Sequence, residues 1–356
     1  MGMGNPLLDI SAHVGQDLLD KYDLKLDSAI LAEEKHQPLY PELIEKYDVQ
    51  YIAGGATQNT MRVAQWMLKD KKGQTAFMGC VGPDDDYGKQ LEKCASEDGV
   101  LVHYMKDPST PTGTCAALIV GGERSLCTNL FAANNFKASH LETEKAKEII
   151  ESAEIYYSAG FFLTVSVESL VKVSEAFVAK NKIVALNLSA PFIVDFFADQ
   201  LATALEYADY VFGNESEAAA YGKKHGLGEG LGKIALAICA LPKKNTSRPR
   251  VVVFTQGPDA TIVATEGKVT EYPVDALPKE KLVDTNGAVS SGRLWSDQYQ
   301  VRSFLFSHAC MMYLVFRVTR LLADSWLNFP RVRTFRRVSR LVSGPQNTLS
   351  KRMELR

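Results

Sequence analysis

The chain has 356 residues, of which 46% are hydrophobic and 23% are charged, and its formal net charge is -2. This composition suits a large buried core and excludes an intrinsically disordered, collagen-like or disulfide-stapled protein. The six cysteines include no C-x-x-C pair, and no signal peptide or apolar run of membrane-spanning length is visible. We therefore expect reduced thiols, no membrane span and a cytoplasmic location, with the nucleus as a second compartment.

The near-neutral charge combines two segments of opposite character. Residues 1–288 carry 28 of the 40 basic side chains, only four of them Arg, against 39 of the 42 acidic ones. Residues 289–356 carry the other 12 basic side chains, 11 of them Arg, against three acidic ones. One folded domain rarely changes its basic residue so abruptly. We predict one domain over 1–288 and an unrelated, poorly ordered Arg-rich tail over 289–356.

Helical patterns alternate with short β-branched or aromatic runs through the first segment. In chain order we predict a helix over 57–68, a strand over 74–81, helices over 87–95 and 142–152, a strand over 154–159, a helix over 166–179, strands over 182–188 and 209–212, a helix over 215–223 and a strand over 250–255. This alternation is typical of an α/β sandwich around a parallel sheet. Residues near 7–57 and 110–133 fit it less well, and we expect them to form a small separate β-sheet.

Two motifs near the N-terminus are candidates for ligand binding. Gly54 and Gly55 precede the helix that contains Asn59, and glycines before a helix let a ligand approach free backbone N–H groups. Asp9 lies in an apolar stretch, where a buried carboxylate needs hydrogen-bond partners such as two ribose hydroxyls. The alternatives are a simple helix cap and a turn aspartate.

Further motifs follow predicted strands. Asn214 and Glu217 form an N-x-x-E spacing that suits water-mediated binding of Mg²⁺, although a plain helix cap would have the same spacing. The turn D-T-N-G-A over 284–288 would direct backbone N–H groups at a phosphate in transfer. Arg124 is one of the four arginines before residue 289, so a phosphate contact is one candidate role for it. The sequence contains no Walker A loop and no G-x-G-x-x-G motif.

Together these motifs resemble the adenosine kinases, within the ribokinase-like family of sugar and nucleoside kinases. The resemblance covers residues 1–288 and is carried by the stretches MGNPLLDIS, ILAEEKH, AGGATQNT, VAQWM, PTGTCAA, AGFFLTVS, LNLSAPF, FGNESEAA, FTQG and DTNGA. It implies a Rossmann-type αβα sandwich with a small β-sheet lid, drawn from about 7–57 and 110–133. It also implies a monomer that uses Mg²⁺ and ATP to phosphorylate the adenosine 5′-hydroxyl to AMP in purine salvage.

The resemblance also implies roles for individual residues. The implied adenosine-binding residues are Asn5, Leu7, Asp9, Leu31, Gly54, Gly55, Asn59, Leu126 and Phe161. The implied ATP-binding residues are Arg124, Asn187, Asn214, Glu217, Gln256 and Gly257, with Glu217 also binding Mg²⁺ through water. The implied start of the anion hole is Asn286, Gly287 and Ala288.

The resemblance fails at two places. The family continues G-A-G-D after D-T-N, and its Asp is the general base, whereas Val289 and Ser290 follow Ala288 here. A serine hydroxyl lacks the basicity to replace that carboxylate, so we predict no catalytic base and little or no kinase activity. The family also has a strand before MGNPLLD, of which only residues 1–4 remain.

Several interpretations remain open. The chain is either an active adenosine kinase, an inactive adenosine-binding isoform, or a mis-spliced product or gene-model artefact, because GTGAGT can encode Val289-Ser290 and is a common splice-donor sequence. The Arg-rich tail also permits an RNA- or membrane-binding role, although we expect neither nucleic acid nor membrane as a partner. Another sugar kinase activity is disfavoured by the apolar pocket residues that the resemblance implies.

Overall fold

The computed structural model describes residues 1–274 except 27, 69–71 and 122. The predicted domain end at residue 288 and the Arg-rich tail therefore lie outside the described residues. The strands are β1 (Gly2–Met3), β2 (Leu7–His13), β3 (Ala29–Leu31), β4 (Gln50–Gly54), β5 (Ala76–Val81), β6 (Leu101–Lys106), β7 (Thr114–Val120), β8 (Glu123–Asn129), β9 (Ile155–Ala159), β10 (Ile183–Asn187), β11 (Tyr210–Asn214), β12 (Val251–Gln256), β13 (Asp259–Thr265) and β14 (Lys268–Tyr272). The helices are α1 (Gln16–Lys21), α2 (Leu39–Lys46), α3 (Ala56–Leu68), α4 (Asp86–Glu97), α5 (Glu144–Ser152), α6 (Val167–Ala179), α7 (Pro191–Phe196), α8 (Ala198–Leu205), α9 (Glu215–Lys224) and α10 (Leu231–Cys239).

A large sheet forms the centre of the molecule. Within the described residues its strand order is β14-β13-β12-β11-β10-β9-β1-β5-β6, and the strands from β12 to β6 are parallel. Every residue of β9 and β10 is buried, because apolar side chains on both faces pack against helices. The predicted α/β sandwich is confirmed, and each predicted helix and strand up to residue 255 corresponds to an observed element.

The N-terminal residues contribute to this sheet despite their short length. Gly2 and Met3 form a two-residue strand that pairs with β5 on one side and β9 on the other. The hydroxyl of Ser158 donates to the Met3 carbonyl at 3.0 Å. Residues 1–4 thus include a short central strand. It lies where the resemblance implied that only the remnant of a strand is left before MGNPLLD.

A second sheet has the strand order β3-β8-β7-β2-β4. Its strands come from the two segments that fitted the α/β pattern poorly, so the expectation of a small separate sheet is confirmed. One face of it packs on α1 and α2, where Ile10, Leu18, Leu39 and Leu118 are buried. The opposite face of the small sheet carries Asp9.

Two buried charges anchor the amino ends of the central strands. Asp209 is fully buried and accepts hydrogen bonds from the Val184 N–H at 3.1 Å and the Lys243 ammonium at 2.5 Å. Arg250 donates to the backbone carbonyls of Leu205, Ala208, Ile238, Leu241 and Pro242. These groups join the loops at the amino ends of the central strands, opposite to the carboxyl edge of the sheet.

Removal of the Asp209 carboxylate tests the importance of this network. Asp209→Ala should lower the free energy of unfolding of the full chain by about 3–5 kcal/mol, because Lys243 would remain as an uncompensated buried charge. Urea denaturation followed by circular dichroism measures the loss. In the control Glu151→Ala, which removes the surface partner of Lys180, the loss should stay below about 1 kcal/mol. Equal losses would contradict a structural role for the buried pair.

Candidate functional site

The polar residues that follow the central strands meet at one edge of the large sheet. Asn5 follows β1, Phe161 follows β9, Asn187 ends β10 and Asn214 ends β11. Because these strands are parallel and in register, their carboxyl ends lie side by side. Ligands of open α/β sheets bind at this edge. Gln256, at the end of the adjacent β12, extends the row.

The open face of the small sheet carries the other predicted residues. Asp9 on β2 lies opposite Cys115 on β7, and Leu126 on β8 lies opposite Ala117. Directly opposed residues share a face, and alternate residues of one strand return to it. The side chains that therefore share this face are Leu7, Asp9, Leu31, Arg124 and Leu126. Leu31 is 63% exposed, so among the described residues this face of leucines and charged residues is open at the position of Leu31.

Both predicted glycines are required by close approaches. A Cβ atom on Gly54 would lie 2.3 Å from Asp9 Oδ1, so a side chain at this position would displace the carboxylate. A Cβ atom on Gly55 would lie 2.2 Å from the Asn5 carbonyl oxygen, and its φ of +93° also favours glycine. The turn after β4 therefore brings Asn5, Asp9 and the two glycines together.

The Asp9 carboxylate is buried with incomplete compensation. Its side chain is 13% exposed, and its Oδ2 lies 3.4 Å from Arg124 Nη2. Burial raises the pKa of the Asp9 carboxyl to about 6, although the positive charges of Arg124 and Arg62 act to lower it. A desolvated carboxylate gains stability from added hydroxyl donors, and two oxygens suit a vicinal diol.

Asn5 and Asn59 both contact the glycine turn at Gly55. The Asn5 amide donates to the Ala133 carbonyl and to Asn134 Oδ1, both at 3.3 Å. The Asn59 N–H donates to the Gly55 carbonyl at 2.8 Å, and its Oδ1 accepts from Arg62. Both residues lie beside the glycine turn, and their contact with a ligand stays a prediction.

Sequence reasoning missed two groups that hold the glycine turn. Gln58 is fully buried, and its amide donates to the Gly54 carbonyl at 2.9 Å while its oxygen accepts from the Tyr104 hydroxyl. Arg62 donates to the Ala53 carbonyl and is also buried. The scarcity of arginine before residue 289 was a signal for Arg62, as it was for Arg124.

Two aromatic residues follow strands β9 and β10 at the carboxyl edge of the large sheet. The rings of Phe161 and Phe192 have centroids 6.0 Å apart, and Phe192 is 44% exposed although it is a large hydrophobic residue. Leu7 approaches Gly113, where a Cβ atom would lie 2.8 Å from a Leu7 methyl carbon. These half-exposed apolar groups suit a flat, apolar ligand.

The N-x-x-E motif forms a reciprocal cap on α9. The Asn214 side chain accepts from the Glu217 N–H at 2.9 Å, and the Asn214 N–H donates to Glu217 Oε2 at 3.0 Å. Burial raises the pKa of the Glu217 carboxyl to about 7, and the nearby Glu215 charge adds to this effect. A buried carboxylate with this pKa would be stabilised by a cation, so the residues fit a water-mediated Mg²⁺.

The remaining predicted ATP-binding residues lie in different settings. Asn187 is buried, and its Oδ1 accepts from the Ser189 N–H at 2.6 Å. The Gln256 amide donates to the Ala260 carbonyl at 2.6 Å, and Gly257 has a φ of +55° with open space around its Cα. Arg124 lies beside Asp9 on the small sheet. The predicted anion-hole residues Asn286, Gly287 and Ala288, and Ser290, lie outside the described residues.

A clustered metal site and a membrane-spanning helix are both absent from the described part of the chain. Among residues 1–274 outside the gaps, no group of three or more His, Cys, Asp or Glu side chains could hold a metal ion. In the same residues no helix combines the length and apolar character that crossing a membrane requires.

Comparison with known proteins agrees with this architecture. The pfkB family of carbohydrate kinases matches residues 16–288. Adenosine kinase 1 of Arabidopsis thaliana is 53% identical over 289 residues, covering 81% of this chain and 83% of that protein. Adenosine kinase of Dictyostelium discoideum is 50% identical over 288 residues, covering 81% and 84%. The crystal structure of Anopheles gambiae adenosine kinase in complex with P1,P4-di(adenosine-5) tetraphosphate is 47% identical, with a TM-score of 0.73 and coverage of 81% and 85%. The chain therefore belongs to the pfkB family of carbohydrate kinases and, within it, to the adenosine kinases.

Proposed function

We propose that this chain binds adenosine at the carboxyl edge of its large sheet, with the ribose diol on Asp9. The position of the Asp9 carboxylate carries the proposal, since it is buried, under-compensated and packed directly on Gly54. Two vicinal hydroxyls would supply the donors that this carboxylate lacks. Asn5 and Asn59, which both contact the glycine turn, would contact the same sugar.

The apolar groups around the site support a purine as the other half of the ligand. Leu7, Leu31 and Leu126 lie on the open face of the small sheet, and Phe161 lies at the edge of the large one. Leu31 is exposed, and covering it with a base would remove apolar surface from water. The adenosine kinases that match this chain support the same identity for the ligand.

ATP and Mg²⁺ are the proposed partners for the polar end of the site. Glu217 would hold Mg²⁺ through water, and the metal would neutralise phosphate charge when bound. Asn187, Asn214, Gln256 and Gly257 lie at or beside the carboxyl ends of β10, β11 and β12, where a phosphate chain would pass. Arg124 is a candidate for a phosphate contact once a ligand engages Asp9. We propose a cytoplasmic monomer.

Phosphate transfer to the adenosine 5′-hydroxyl is the family reaction, but we propose that this chain performs it poorly. The family carboxylate that accepts the hydroxyl proton is replaced by Ser290, and the preceding glycine is replaced by Val289. General-base catalysis contributes about 10²–10⁴ to a rate. We therefore expect this chain to bind adenosine but to phosphorylate it slowly.

Calorimetry with adenosine and the full chain tests the binding site. The wild type should bind adenosine, and Asp9→Asn should weaken binding by at least about 100-fold, because two charge-assisted hydrogen bonds are weakened or lost. Glu123→Gln, which removes an exposed acid from the same sheet, should bind normally. No adenosine binding by the wild type, or normal binding by Asp9→Asn, would contradict the proposed site.

The pH dependence of binding tests the same carboxylate. Hydroxyl donors favour the ionised form, so affinity should be constant above about pH 7 and fall as the pH drops through the Asp9 pKa of about 6. At pH 5 adenosine should bind about tenfold more weakly than at pH 7. Calorimetry across this range measures the profile, and the Asp9→Asn protein should lack the transition. An unchanged wild-type affinity at pH 5 would exclude Asp9 as the group that holds the diol.

A turnover assay separates binding from catalysis. AMP formation from adenosine and Mg²⁺·ATP should be at least about 100-fold slower than for the Arabidopsis relative assayed in parallel, because the general base is absent. Coupled detection of ADP and chromatographic detection of AMP measure the two products. Comparable rates would overturn the catalytic part of the proposal and leave the binding part intact.

A further inference from the structure

We propose that Arg62 is a positioning residue for recognition of the ribose diol. This proposal rests on the proposed adenosine site. It adds to that site a residue of the helix that follows the glycine turn. Arg62 is 6% exposed and belongs to α3, the helix that begins directly after Gly55. Its role is to fix the position and charge of groups that contact the ligand.

The guanidinium of Arg62 connects three elements. One nitrogen, Nη1, donates to the Ala53 carbonyl at the end of β4 and to Asn59 Oδ1, the latter at 3.0 Å. Nε donates to the carboxylate of Asp98, the residue that ends α4. A planar guanidinium holds such divergent partners in one fixed geometry, which an ammonium on a flexible chain does less well. Arg62 therefore locks the end of β4 onto two helices.

The end of β4, which Arg62 holds, is also the segment against which Asp9 packs. Ala53 directly precedes Gly54, and a Cβ atom on Gly54 would lie only 2.3 Å from Asp9 Oδ1. A small displacement of the Ala53 carbonyl would therefore move the surface against which the carboxylate packs. The same guanidinium holds Asn59, which is proposed to contact the same sugar. Recognition of two hydroxyls at once depends on such sub-ångström placement.

Arg62 also contributes to the charge balance of the diol site. The ionisable groups that face Asp9 are Arg124 from β8, Arg62 from α3 and the buried Cys115 thiol from β7. The two arginines favour the ionised carboxylate and burial opposes it. Loss of the Arg62 charge would leave more of Asp9 protonated near neutral pH, in the form that accepts hydroxyls poorly.

A comparison of two ligands distinguishes positioning from a general structural role. Adenosine and 2′,3′-dideoxyadenosine share the base and differ in the diol, so calorimetry with both isolates the grip on the sugar. Arg62→Gln should weaken adenosine binding by about tenfold or more and leave dideoxyadenosine binding unchanged. Arg62→Lys and Asp98→Asn should cause smaller losses in the same direction. They replace Arg62→Gln if that variant does not fold.

Arg250→Lys is the matched control. Arg250 is equally buried and also donates to backbone carbonyls, but it lies at the opposite edge of the sheet. Its replacement should lower the thermal midpoint without changing the ratio of the two affinities. The positioning role would be overturned if an Arg62 variant lost affinity for both ligands by the same factor. It would also be overturned if the affinity for neither ligand changed.

Titration of the ligand-free protein separates a failure of the inference from a failure of the proposed function. Absence of adenosine binding by the wild type would refute the function. In that case carbon-13 NMR of the aspartate carboxyls, with Asp9→Asn to assign the signal, still tests the influence of Arg62. The Asp9 pKa should rise in Arg62→Gln and stay lower in Arg62→Lys. An unchanged Asp9 pKa in Arg62→Gln would overturn the inference.

Discussion

The burial of one carboxylate in a strand constrains the surrounding structure. Asp9 needs a neighbour without a side chain at Gly54, positive charge from Arg124 and Arg62, and a sheet face left open. Because its folded-state pKa of about 6 exceeds the unfolded value of 3.8, its contribution to stability is complete below pH 3.8 and is lost as the pH rises through 6. At neutral pH the ionised group costs about 2–3 kcal/mol. A ligand with two hydroxyl donors would recover part of that cost.

The same atoms serve both the fold and the site at the edge of the large sheet. The reciprocal cap between Asn214 and Glu217 starts α9, as the simpler interpretation of the N-x-x-E motif predicted. It also holds a buried carboxylate with a raised pKa beside the ends of β11 and β12. A cap and a metal-binding role are therefore compatible, because the cap fixes the carboxylate that a hydrated cation would approach.

The alternation of strands and helices was predictable because fully buried parallel strands produce continuous apolar runs, as in β9 and β10. The glycine turn and Asp9 were recognisable as candidates because glycines before a helix leave backbone N–H groups accessible, and because a carboxylate in an apolar stretch is costly to bury without partners. The parallel pairing of β2 with β7, about 100 residues apart, was not predictable, since no local pattern encodes it. Arg62 was missed for the same reason, because its partners Ala53 and Asp98 meet only in the folded chain. The roles of the ATP-binding residues stay predictions.

The residues proposed for ribose recognition and those proposed for phosphate transfer come from different parts of this chain. The residues proposed to hold the sugar and base lie between Asn5 and Phe161, and the structure assembles them from both sheets. The residues expected to stabilise transferring phosphate lie at 286–288, directly before the change from a Lys-rich to an Arg-rich sequence. The substitution that we propose to remove the proton acceptor is at residue 290, far in the sequence from Asp9, Gly54 and Arg62. On this proposal, a loss of catalysis in this chain would not require a loss of the nucleoside site.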